Sequence, residues 1–113
     1  MRFVYIEFLS EAASTRVEYD ASRHTPSKFL YYRLGDEEIL VVGDENMLFH
    51  REIDYAYEKT ARGEPTGELV GAGTIKHGHV TSWGSSNMKI TTPEDLRERI
   101  VAELNLHQLL STT

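Results

Sequence analysis

Five histidines, His24, His50, His77, His79 and His107, stand in a chain with no cysteine. The absence of thiols removes disulfide scaffolds, thiolate metal sites and cysteine nucleophiles together. Histidine is then the side chain best placed to move protons near neutral pH. His77 and His79 flank Gly78 in a tight turn, and nothing nearby supplies the further ligands that a structural or catalytic metal requires, so no metal site is expected there. His50 differs by its setting. At about 100° per residue it falls on the shoulder of a helical stripe formed by Phe49, Ile53, Ala56 and Tyr57, close to the start of that helix. The positive end of the helix dipole disfavours an imidazolium there and keeps the ring neutral, fit to act as a general base. The plainer alternative is a half-buried boundary histidine satisfied by one hydrogen bond.

A second feature is Trp83-Gly84-Ser85-Ser86-Asn87-Met88 at the end of a predicted strand. A glycine followed by small hydroxyl and amide residues can turn several backbone N–H groups and a hydroxyl toward an oxyanion. It can equally be an ordinary connection, in which serine and asparagine are common. Arg2, at the head of the first strand, would add a cation to those neutral donors, a combination suited to a phosphoryl group. Its ordinary role would be a solvated strand end. Asp54, Glu58 and the Asp36-Glu37-Glu38 run read as solvated charges without a functional role.

The elements that must position these residues follow from periodicity. Residues 2 to 9 alternate, with Val4, Ile6 and Phe8 on one side and Phe3, Tyr5 and Glu7 on the other, the two-residue period of a strand. Ser10 to Ser27 is polar and reads as a long loop or ragged edge with a short strand at Arg16 to Tyr19. Phe29 to Leu34 and Glu38 to Val42 are strands joined by a hairpin at Gly35-Asp36-Glu37. A turn at Gly43-Asp44 leads into a helix over Asn46 to Arg62, stopped by Gly63 and Pro65. Glu68 to Lys76 and His79 to Gly84 form a further hairpin, with Gly71 and Gly73 where backbone approaches closely. Thr92 is expected to cap a last helix, with Pro93, Glu94 and Asp95 in its first turn and the stripe Leu96, Ile100, Leu104 facing the core. The pattern predicts an α/β (α+β) fold, a single mixed, largely antiparallel sheet covered by two helices, with residues 1–113 as one domain.

Composition bounds the function classes. A net charge of −6 opposes binding to nucleic acid or anionic lipid. The apolar runs are a few residues long, against the roughly 20 needed to cross a bilayer, and the amino terminus lacks a leader's cleavage site. A cytoplasmic protein without membrane or nucleic-acid partners is the expectation.

Taken in order, these segments resemble the janus/ocnus family, which includes phosphohistidine phosphatase activity. Arg2-Phe3-Val4-Tyr5-Ile6-Glu7-Phe8 is similar to that family's opening strand, whose leading phosphate-contacting lysine would here be Arg2. Glu38 to Gly43 resembles the strand before its helix, and Phe49-His50-Arg51-Glu52-Ile53 its aromatic-histidine-x-acid-isoleucine motif, which puts His50 on the catalytic histidine. Val70 to Ile75 is similar to its glycine-rich strand, and His79 to Ser86 to the following strand and phosphate loop. The loop departs from the family's pattern, reading Ser85-Ser86-Asn87-Met88 without its aromatic and small residues. By contrast, Arg23-His24 matches the Arg-His-Gly signature of histidine acid phosphatases without its glycine, a chance match. The janus/ocnus resemblance implies a phosphatase that needs no metal or other cofactor and acts on phosphohistidine, or a related phosphoramidate, in a phosphorylated partner protein. His50 would be general base or nucleophile, and Arg2, Ser85, Ser86, Asn87 and Met88 would hold the phosphate. The alternative is a non-catalytic phosphate- or phosphoprotein-binding module on the same fold.

Overall fold

Two-residue alternation in the strands decides which side chains meet which helix. In the computed structural model, residues 1–10, 13–20, 23–24, 26–46, 50–76, 79–82 and 92–111 are described. They form β1 (Arg2–Ser10), β2 (Ala13–Glu18), β3 (Pro26–Leu34), β4 (Glu37–Asp44), α1 (His50–Thr60), β5 (Glu68–Lys76), β6 (His79–Ser82) and α2 (Leu96–Ser111). The strands make one sheet in the order β2-β1-β4-β3-β5-β6. β1 and β4 run parallel and every other neighbouring pair is antiparallel, so the fold is the mixed α+β sheet that the pattern predicts.

The two helices cover opposite faces. Val4, Ile6, Leu30, Tyr32 and Val41 point to one face and pack with Ile53, Ala56 and Tyr57 of α1. Phe3, Tyr5, Phe29, Tyr31 and Leu40 point to the other and pack with Leu96, Ile100 and Leu104 of α2. With no solvated face, the middles of β3 and β4 are buried on both sides, which is why they read as near-continuous apolar runs.

Several expectations are refined. The polar Ser10–Ser27 stretch contains a true strand, β2, which begins three residues before the predicted one and pairs along β1 from Ser10↔Ala13 to Val4↔Glu18. It is the outer strand, so its lack of apolar alternation reflects an edge position. Asp44 ends β4 by accepting the Asn46 N–H at 3.0 Å, an Asx turn. α1 is shorter than predicted, ending at Thr60 before a turn in which Arg62 (φ 53°) and Gly63 (φ 87°) are left-handed.

Thr92 is not the simple helix cap expected. Among the described residues β6 pairs with β5 from Gly73 to Lys76, one residue short of Ala72. The buried Thr92 hydroxyl accepts from Ala72 N at 3.0 Å and donates to Ala72 O at 3.3 Å, meeting both needs. Two carboxylates read as solvated also have structural work. Tyr31 donates to Glu38 at 2.6 Å, and Arg99 of α2 pairs with the same carboxylate. Tyr32 donates to Asp54 at 2.5 Å, joining β3 to α1. Among the described residues no helix is long and apolar enough to cross a membrane.

Candidate functional site

His50 is the first residue of α1 and is 8% exposed, so the helix sets it against the sheet as the stripe predicted. Its Nε2 lies 2.9 Å from the carbonyl oxygen of Gly73 on β5. That contact depends on glycine: a Cβ at position 73 would fall 2.1 Å from the Thr81 carbonyl oxygen and 2.4 Å from the Phe29 ring. The strands are therefore packed too closely around Gly73 for any side chain, the close approach expected of this segment. Burial pushes the His50 pKa below its ordinary value; the Gly73 hydrogen bond opposes this, and the positive charge of Lys28 adds to it. The ring is neutral at pH 7.

Lys28 is the cation that inspection of the sequence misses. It sits on β3 opposite Thr74, next to the Gly73–Phe29 pair, and alternation directs it away from Phe29 to the face that carries α1. A bulge between Pro26 and Phe29 on the β4 side falls at this position, a distortion that re-aims side chains. Lys28 immediately precedes the apolar run Phe29–Tyr32 of β3, much as Arg2 precedes Phe3–Ile6 in β1. That parallel is the only local signal, and it gives no means of telling which of the two cations faces His50.

Arg2 does not join His50. Tyr5, Val42, Phe29 and Gly73 lie in one row across the sheet, and Arg2 is three residues before Tyr5 and three strands away from β5. At strand spacings of about 4.8 Å and 3.3 Å per residue, its Cα is roughly 17 Å from that of Gly73. The Arg2 guanidinium is 60% exposed, 3.7 Å from Glu37, and its charge is felt by Tyr57 near the far end of α1. Strand direction is the reason: β1 starts at the end of the sheet opposite to the start of α1.

Ser85, Ser86, Asn87 and Met88 lie outside the described residues, as does Phe49. The chain reaches that segment from Ser82, which is the register partner of Gly73, the residue bonded to His50. Of the other histidines, His77 is also outside the described residues, and His79 is exposed. His24 has a structural role: its Nδ1 accepts the Asp20 N–H at 2.9 Å and its ring stacks on Tyr5 at 4.1 Å. No group of three or more potential metal-binding side chains occurs among the described residues. No family model, curated protein or solved structure matches this chain.

Proposed function

We propose that this protein is a cytoplasmic, metal-independent phosphatase that hydrolyses phosphohistidine, or a related phosphoramidate, in a partner protein. The observation that carries the reading is a buried, neutral imidazole fixed to the Gly73 carbonyl with the Lys28 ammonium as its charged neighbour. A neutral imidazole can take a proton from water, and a nearby ammonium can stabilise the charge that gathers on transferring phosphoryl oxygens. A phosphorus–nitrogen bond to imidazole breaks more readily than a phosphate ester, so one base and one cation with a few N–H donors can suffice. In this reading Lys28 takes the part that the sequence assigns to Arg2, and Ser85 to Met88 supply the remaining donors.

The direct test is phosphate release from chemically phosphorylated histidine, with and without a chelator, for the native chain, His50→Ala and Lys28→Met. Chelator-insensitive turnover that vanishes in His50→Ala is expected. Lys28→Met is expected to raise KM about tenfold, the size of one charge-assisted contact. Native protein that binds phosphate without turnover would replace the enzyme with the phosphate-binding module. No binding in any form would leave His50 as a boundary histidine.

A further inference from the structure

β2 is the outer strand on one side of the sheet, and among the described residues no strand lies beyond it. Which of its backbone groups face outward follows from β1. The Phe8 N–H donates to Asp44 Oδ2 of β4 at 3.5 Å, so Phe8, Ile6 and Val4 turn their backbone polar groups toward β4, while Glu7 and Tyr5 turn theirs toward β2. The pairs Tyr5↔Val17 and Glu7↔Thr15 therefore exchange the hydrogen bonds of the β1–β2 ladder. The N–H and C=O groups of Ser14, Arg16 and Glu18 are left facing away from the sheet. Residues 14–18 also lack common protections of an edge: they contain no proline or lysine, and the register shift in the β1–β2 pairing falls between Phe8 and Ser10, outside them.

The side chains along this edge are self-complementary. Arg16 and Glu18 lie opposite Ile6 and Val4, so both stand on the α1 face, where Arg16 reaches Tyr57 and Thr60 and Glu18 is exposed. Val17 takes the other face, half-buried against the α2-side core. We propose that β2 pairs with β2 of a second copy of this chain, antiparallel about a two-fold axis at Val17, joining two sheets into one. This interface goes beyond the phosphatase reading and does not depend on it. The axis sets Arg16 of each copy opposite Glu18 of the other, giving two favourable cross-strand pairs whose outward N–H and C=O groups are bonded. An axis at Arg16 would oppose two arginines and one at Glu18 two glutamates, so charge selects the register. The two Val17 side chains meet on the axis at a non-hydrogen-bonded position and carry the α2-side apolar layer across the join. Two-fold pairing uses each β2 once and closes after two copies. His50 is bonded to β5, four places along the sheet from β2, so the interface stands away from that site.

The cysteine-free chain allows a register-specific test. Cα atoms at a non-hydrogen-bonded pair are about 4.5 Å apart, within the range of a disulfide, so Val17→Cys is expected to give a covalent dimer on mild oxidation. Thr15→Cys, which the same axis places opposite Tyr19 and roughly 14 Å from its own copy, is expected not to. Sedimentation velocity over a concentration series is expected to show a reversible dimer for the native chain. Glu18→Pro removes an outward N–H and no bond of the β1–β2 ladder, so its circular dichroism should stay native. Its dimer dissociation constant should rise about tenfold or more, since symmetry makes every lost contact count twice. Glu18→Arg, which opposes like charges and leaves the backbone donors intact, is expected to do the same. A native chain that is monomeric throughout the series overturns the proposal. So does a dimer that neither Glu18 change weakens, or one in which Thr15→Cys cross-links more readily than Val17→Cys.

Discussion

Protonating His50 is harder in the folded chain than in the unfolded one, because burial strips water from the imidazolium and Lys28 repels it. The folded pKa therefore lies below the unfolded value of about 6.5, and between the two the unfolded state binds more protons. The stability linked to His50 is present above pH 6.5 and declines as pH falls through that value toward the lower, folded one. Denaturation midpoints measured from pH 8 to pH 5 should show this decline in the native chain and a flatter profile in His50→Gln. Equal slopes would mean that His50 is not the titrating group. Lys28→Met should raise the His50 pKa, read from the ring-proton shift against pH, since one repelling charge is gone. His50 was legible in the sequence because a helical stripe and a helix start are local patterns. The electrostatic influence of Lys28 on His50 was not, because it depends on β3 lying beside β5.

Two elements are held by side chains that no helix or strand pattern announces. The Thr92 hydroxyl serves both backbone groups of Ala72, so Thr92→Val keeps the shape and takes that partner from two buried polar groups. That change should cost about 1–3 kcal/mol in chemical denaturation, the usual penalty for a stranded group. Arg16 on β2 donates from Nη2 to the Tyr57 carbonyl at 2.5 Å and from Nε to the Thr60 hydroxyl at 3.2 Å, with its guanidinium 4.3 Å from the centre of the Tyr57 ring. It thus serves the end of α1, where carbonyls lack intrahelical partners. Arg16→Ala should destabilise by about 1–2 kcal/mol while leaving the His50–Gly73 hydrogen bond unchanged. A loss confined to His50 chemistry would contradict that placement. Gly73→Ala is the severest single change at this scale, because the obstacle is the backbone of a neighbouring strand; soluble yield should fall sharply or strand β6 detach.

Across the molecule, α2 is fastened to the sheet by charge as well as by its apolar stripe. Arg99 pairs with Glu38, its Nε is 3.0 Å from Asp95 Oδ2, and the terminal ammonium of Met1 is 3.8 Å from Glu103. The Tyr31 hydroxyl, ahead of Arg99, holds the Glu38 carboxyl below its ordinary pKa of 4.5. The sign is that of a depressed acid: the contribution is present above about pH 4.5 and is lost as pH falls through the lower folded value. Acid titration should loosen the α2 face, followed by Tyr31 fluorescence in a variant lacking the other nearby tyrosines, and Glu38→Gln should remove that step. The sequence by itself determined the strand and helix periods, the turn at Gly35, the stop at Gly63 and the buried stripes Ile53-Ala56-Tyr57 and Leu96-Ile100-Leu104. Those follow from side-chain spacing within one element. Tertiary structure alone decided that the helices take opposite faces, that Lys28 and not Arg2 neighbours His50, and that Glu38, Asp54 and Thr92 have distant partners. The reason is physical: strand order and register join residues far apart in the chain, and the pattern within a strand states which face each side chain takes but not which strand lies beside it.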